Sequence, residues 1–362
     1  MSQAHDAEGP PLENANLIAV DPLLPPSELK ARWPVPGGVA RSVRAARQAI
    51  RDVLHGRDRR RLVVVVGPCS IHDGDAAFEY ARRLRRVAER TADALVLVMR
   101  TYFEKPRTTI GWKGLLNDPR LDGSCDIALG IERAREILLA VNALGMPCAG
   151  EALDPVTTDY LADLLAWTSI GARTSESQVH RQMASGLSMP VGFKNGTGGG
   201  VATAGNAMLA AGEPHSFVGV SADGRAAVVK TLGNPDRHVV LRGGSAGPNH
   251  GAEHVEAVLQ QIADQGIARP VMVDCSHGNS GKDPTRQPAV CRDVLEQIRA
   301  GQRGIMGMLI ESNLEPGAQT WKPDGELAYG VSITDPCLGW NETEPLLDEI
   351  AEVLRVQAPT GP

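Results

Sequence analysis

Residues 102–114, YFEKPRTTIGWKG, place Lys105, Arg107 and Lys113 among aromatic residues, a proline and two glycines. A solvated charge run has no need of Pro106, of the Thr108–Thr109 pair or of Trp112 to fix its shape. The stretch therefore reads as a shaped loop that gathers positive charge for an anion. Other chemistry-bearing residues follow apolar runs elsewhere in the chain: Cys69, Arg100, Glu151, Arg173, Lys194, Arg242, His277 and Glu311. Four of these are cations suited to phosphate or carboxylate. The other four can ligate a metal or move a proton. Polar residues resume after any buried strand, but that alone predicts a random mix of signs. Four cations beside four ligands or bases favour an anion-binding metalloenzyme.

The apolar runs that carry these residues recur at 62–66, 94–99, 146–150, 167–172, 190–193, 238–241, 271–275 and 304–310. Amphipathic stretches such as 76–90, 131–144, 176–187 and 253–265 lie between them, with apolar residues at helical spacing. Near-continuous apolar strands alternating with helices imply a parallel sheet covered by helices. Eight such units fit a closed (β/α)8 TIM barrel, whose active site sits at the C-terminal ends of the strands. Residues 215–232 alternate about an Asp-Gly turn and predict a β-hairpin inserted before the sixth barrel strand. Residues 1–61 read as an N-terminal extension with two short helices, its first 26 residues polar, Pro-rich and mobile. The catalytic barrel then spans 62–362.

The 362 residues carry a formal charge of −6, so no bulk attraction to nucleic acid or an anionic membrane is expected, and any anion binding must be local. No stretch approaches the ~20 apolar residues of a membrane span. The N-terminus lacks the layout of a signal peptide, which makes the cytoplasm the expected setting. The six cysteines are scattered without a CxxC pair and read as core thiols or a metal ligand rather than as disulfides. Neither NGTGGG (195–200) nor RGGSAGPN (242–249) has the layout of a nucleotide-binding loop.

In order along 60–345, the stretches GPCSIHD (67–73), MRTYFEKPRTTIGWKGLLNDP (99–119), GARTSESQVHRQMASGL (171–187), PVGFKNGT (190–197), LRGG (241–244), DCSHGNS (274–280), ESNLEPGAQ (311–319) and YGVSITDPCLGW (329–340) carry a likeness. With them the chain resembles the microbial class I 3-deoxy-D-arabino-heptulosonate 7-phosphate (DAHP) synthases. The resemblance implies condensation of phosphoenolpyruvate (PEP) with erythrose 4-phosphate, the opening step of the shikimate pathway. It implies that Arg100, Lys105, Arg173, Lys194 and Arg242 surround PEP, with the Gly171–Ala172 backbone at its phosphate. Pro106, Arg107 and Thr108 would hold the second phosphate, with Asp335 also at the substrate. Cys69, His277, Glu311 and Asp335 match the family's ligands for a divalent metal, Mn, Fe, Co or Zn; taken alone, Cys69 reads as a small buried hydrophobe. Lys105 is the leading proton donor, Cys69 and His277 act through the metal, and Glu151 or a metal-ligating carboxylate is a candidate for activating water. A homo-oligomer, dimer or tetramer, is also implied.

Two alternatives stay open at this point: a PEP-condensing synthase using another aldose phosphate, and a non-catalytic regulatory paralogue. Many members of the resembled family are inhibited by an aromatic amino acid. Asp154 and Ser188 match ligand-facing positions of that site, but Ala152, Thr158–Asp159 and the hairpin tip SADGR (221–225) depart from it, so weak or absent inhibition is expected.

Overall fold

Ten strands form in chain order, and the computed structural model describes them within residues 12–107, 111–322 and 325–357. They are β1 (Leu62–Gly67), β2 (Leu95–Arg100), β3 (Cys148–Glu151), β4 (Leu165–Ile170), β5 (Val191–Lys194), β6 (Ser216–Val220), β7 (Ala226–Lys230), β8 (Arg237–Leu241), β9 (Val271–Asp274) and β10 (Ile305–Glu311). Eight close into a parallel barrel in the order β1-β10-β9-β8-β5-β4-β3-β2. β6 and β7 form a separate antiparallel hairpin between β5 and β8, so the expected insertion falls before the sixth barrel strand. Some bounds differ from expectation. β4 begins at Leu165, paired with Cys148, and ends at Ile170; Thr174 and Ser175 then donate to the Gly171 carbonyl, so Gly171 and Ala172 belong to a turn.

The all-apolar sequence of β1 follows from a barrel with two cores. Successive strand side chains point to opposite faces. Val63 and Val65 enter the lumen with Val96, Val98, Ala149, Trp167, Val240, Met272 and Met306. Leu62, Val64 and Val66 face the surrounding helices. Within the lumen, Trp167 Nε1 donates to His238 Nε2 at 2.9 Å, and both rings are fully buried. Gly192 makes room for them: a Cβ there would lie 2.5 Å from Trp167 Cζ2 and 3.0 Å from His238 Cε1.

The helices are α1 (Pro26–Arg32), α2 (Gly37–Leu54), α3 (Gly74–Arg90), α4 (Ile127–Ala143), α5 (Pro155–Leu161), α6 (Gln178–Gly186), α7 (Ala202–Gly212), α8 (Ala252–Asp264), α9 (Gln287–Arg299) and α10 (Trp340–Gln357). Asp73, Asp126 and Asp154 cap the starts of α3, α4 and α5 by accepting from backbone N–H groups one turn in. α2 does a different job. Its buried Ala46, Ile50, Val53 and Leu54 join the lumen cluster, which stoppers the N-terminal end of the barrel. Arg47 reaches the Ala162 and Leu165 carbonyls, while Arg51 and His55 both grip Asp236 just before β8. Among the described residues, no helix is long and apolar enough to cross a membrane.

Candidate active site at the barrel mouth

Strand ends deliver four of the predicted residues directly. Arg100, Glu151, Lys194 and Glu311 are the last residues of β2, β3, β5 and β10. The loops behind them are cross-tied. Ser175 Oγ bridges the Gly171 and Lys194 carbonyls, and Asn195 Oδ1 accepts from the Arg242 backbone N–H. Asn279 Nδ2 reaches the Leu241 and Asp274 carbonyls. The loop after β2 is tied by Lys105 N to Lys113 O at 2.7 Å and by Trp112 Nε1 to Asp118 O at 3.0 Å. At Gly114, φ is +121° and a side chain would run into the Phe103 carbonyl, so this crossing requires glycine.

These ties shape one pocket of about 290 Å³, lined among others by Arg100, Lys105, Pro106, Arg107, Glu151, Gly171, Ala172, Arg173, Lys194, Arg242, His277 and Asp335. The predicted cations therefore share a wall. Arg100 is buried, with its guanidinium 3.6 Å from the centroid of the Tyr102 ring and its NH2 2.9 Å from Glu311 Oε1. Lys194 is also buried, 5.6 Å from the same ring centroid. Thr108 lies outside the described residues.

Beneath the pocket sits a compact donor cluster. One ligand atom from each of Cys69, Glu311 and Asp335 lies within 4.8 Å of the others. His277 adjoins the triplet from the Glu311 side, Nε2 to Oε1 at 3.8 Å. Lys105 Nζ donates to Cys69 Sγ at 2.9 Å and to Asp335 Oδ2 at 2.7 Å. Burial opposes the Lys105 charge, yet Cys69, Glu311 and Asp335 hold its ammonium well above the ordinary lysine range. Burial likewise pushes the Asp335 carboxyl up, but Lys105 outweighs it and the group is held well below its ordinary value. Burial raises the Cys69 thiol, and Glu311 adds to that shift. Sulfur, two carboxylates and the adjoining imidazole, in a cup where Cys69 and Glu311 are buried and Asp335 is partly exposed, match a divalent transition metal in donor chemistry. Such a cation would also strip the thiol proton.

Sequence reasoning overlooked several participants. Tyr102, Thr174, Thr197 and Lys282 line the pocket, and Asp274 lies behind it, fully buried. Burial pushes Asp274 up, but His277, Lys194 and a Ser276 hydrogen bond hold it well below the ordinary carboxylate range. Glu104, beside Lys105, goes the other way. Burial lifts it to about 7, against a Thr157 hydrogen bond that lowers it. Glu104 and Asp274 both fall inside the quoted motifs YFEKPR and DCSHGNS, so their signal was present; what singles them out is burial, which only the fold supplies. His72 stands edge-on to Trp112, and His180 bridges Ser177 and the Leu153 carbonyl. Asp154 caps α5, whereas Ala152 is buried and Asp159 and Ser188 are exposed.

The sequence pattern of the DAHP synthetase I family matches residues 39–348. The chain is 52% identical over 347 residues to "Phospho-2-dehydro-3-deoxyheptonate aldolase, Tyr-sensitive" of Escherichia coli, covering 96% of this chain and 97% of that protein. It is 50% identical over 345 residues to the Phe-sensitive enzyme of the same organism, covering 95% and 98% of the two chains. The solved structure of phospho-2-dehydro-3-deoxyheptonate aldolase from Francisella tularensis superposes with a TM-score of 0.92 at 45% identity, covering 94% of this chain and 99% of that one. With family pattern, relatives and fold in agreement over nearly its whole length, the chain belongs to the DAHP synthetase I family.

Proposed function

We propose that this protein is a 3-deoxy-7-phosphoheptulonate synthase, joining PEP, D-erythrose 4-phosphate and water to give DAHP and phosphate at the entry to aromatic biosynthesis. The observation that carries the reading is the convergence of Arg100, Lys105, Arg107, Arg173, Lys194 and Arg242 on one pocket above a thiol–carboxylate cluster. Two phosphorylated substrates, one also a carboxylate, call for that many positive groups whatever the net charge.

Arg100, Arg173, Lys194, Arg242 and the Gly171–Ala172 backbone hold PEP, while Pro106, Arg107 and Thr108 hold the phosphate of the aldose, with Asp335 beside it. A new bond forms between C3 of PEP and the aldehyde carbon, and Lys105 gives its proton to the oxygen that gains charge. Glu151, on the pocket wall, takes a proton from the water that adds to C2. The hemiketal phosphate then collapses by C–O cleavage, releasing phosphate. A divalent metal held by Cys69, His277, Glu311 and Asp335 would supply Lewis acidity toward the aldehyde.

We also propose a cytoplasmic homo-oligomer. Val218 and Val228 pair across the hairpin at 84% and 69% exposure, an apolar face suited to a second copy. The deciding assay is phosphate release with PEP and erythrose 4-phosphate across a Mn, Fe, Co and Zn series. Turnover with the four-carbon aldose is expected. Preference for arabinose 5-phosphate would point to a different synthase, and no turnover with any metal to a non-catalytic paralogue. Adding phenylalanine, tyrosine or tryptophan to the same assay should inhibit weakly or not at all.

A further inference from the structure

We propose that Ser276 and Asp274 form a relay that fixes the proton of His277 on Nδ1 and so leaves Nε2 facing the metal cluster; they are positioning residues, acting through His277. The inference rests on the metal reading above.

The geometry leaves one consistent assignment of protons. Ser276 Oγ lies 2.6 Å from Asp274 Oδ1 and 2.7 Å from His277 Nδ1. A hydroxyl has a single proton. Asp274 is fully buried, and its Oδ1 already accepts from the Ser276 backbone N–H at 3.0 Å, so as a carboxylate it can only accept. Ser276 must therefore donate to Asp274, and its oxygen can then only accept, which requires an N–H on Nδ1 of His277. The second Asp274 oxygen makes no well-aligned hydrogen bond among the described residues. It lies 3.0 Å from His277 Nδ1 and 3.9 Å from Lys194 Nζ, where its charge reinforces the same tautomer. In the neutral ring with its proton on Nδ1, the Nε2 lone pair points to the Glu311 side, 3.8 Å from Oε1.

The backbone gives independent support. His277 has φ +51°, a left-handed conformation that residues other than glycine seldom adopt. It is held there by Lys282 N donating to the His277 carbonyl at 2.7 Å and by Asn279 N donating to the Ser276 carbonyl. Strain of this kind persists where surrounding contacts over-determine it. Here they place one ring nitrogen against Ser276 and turn the other toward the cluster.

The test uses the full chain stripped of metal and titrated with Co²⁺ alone, read by its thiolate-to-cobalt and ligand-field absorption bands. Ser276→Ala should weaken Co²⁺ binding about tenfold, and Asp274→Asn up to about a hundredfold, the range for partners behind a metal-bound histidine. The thiolate band should survive in both while the ligand-field bands move toward those of His277→Ala. Ser276→Thr, which restores a hydroxyl, should recover the affinity. Once His277→Ala is in place, adding Ser276→Ala should cost nothing more. Losses from Ser276→Ala and His277→Ala that simply add, or unchanged Co²⁺ affinity in Ser276→Ala, would overturn the relay. A wild-type chain that binds no Co²⁺ would instead overturn the metal reading beneath it.

Discussion

The two ends of the barrel solve burial in opposite ways. At the mouth, charges are set against each other at low exposure: Arg100 with Glu311, Lys194 near Asp274, and Lys105 with the part-exposed Asp335, while the His277 ring packs on Asp274. At the floor, α2 inserts Ala46, Ile50, Val53 and Leu54, and the polar pair within the lumen, Trp167 and His238, is neutral. Burial lowers His238 to about 4, which keeps it uncharged near pH 7. An apolar plug of similar volume stabilises a fold at least as well as a buried ion network. Charge is therefore buried at the mouth, where chemistry needs it, whereas the plug within the lumen is uncharged and the Arg51–Asp236 pair of the floor stays partly exposed.

Breaking the mouth should cost activity without cost to the fold. Cys69→Ala is expected to lower kcat/KM at least about a hundredfold, with an unchanged thermal transition, because a metal ligand matters more than the partners behind it. Lys105→Ala should fall about as far, mainly in kcat, as loss of a proton donor does. The floor should answer the other way. Ile50→Ala in α2 should cost about 2–5 kcal/mol in urea unfolding yet leave kcat/KM unchanged at temperatures where the chain is folded. An activity loss in Ile50→Ala would erase the distinction between the two ends.

Acid separates the ends further. His238 is near 4 when folded and 6.5 as the ordinary value, so the folded state resists its protonation. Its contribution is full above pH 6.5 and is lost as pH falls toward 4, by about 3 kcal/mol at 1.36 kcal/mol per unit. Glu104 at the mouth runs in the opposite sense: raised to about 7, its contribution is full below 4.5 and lost as pH rises through 7. The two oppose each other in the wild type, so the measurement is the stability difference between wild type and His238→Gln. That difference should shrink between pH 6.5 and 4; a difference independent of pH would contradict the assignment. The smallest effect is at the mouth's outer edge. Arg107→Ala should raise KM for erythrose 4-phosphate about tenfold with KM for PEP unchanged, the loss of one charge-assisted contact.

The barrel was legible because its strands are buried on both faces and read as unbroken apolar runs, and the residues closing those runs fall at one end by construction. The cations at positions 100, 173, 194 and 242 could be found that way. Asp335 could not, since it follows no apolar run and only the family likeness places it. The stopper role of α2 was also hidden: a helix with one apolar stripe looks the same whether it lies on a barrel wall or across its floor. Asp274 sat inside a noted motif, but at the end of an apolar strand nothing in the spacing says that its charge faces inward to His277 and Lys194.

The seam between β1 and β10 has a consequence for how the protein is made. Those strands pair in register from Val63↔Gly307 to Gly67↔Glu311, joining segments from near the two ends of the chain. Cys69 follows the first strand, and Glu311 and Asp335 come from the last strand and the loop after it, so the donor cluster is split across this closing edge. During synthesis Cys69 emerges early and waits for nearly the whole barrel to follow. Such long-range pairing is among the slowest steps a chain completes. The donor set is therefore complete only once the final strand has docked against the first.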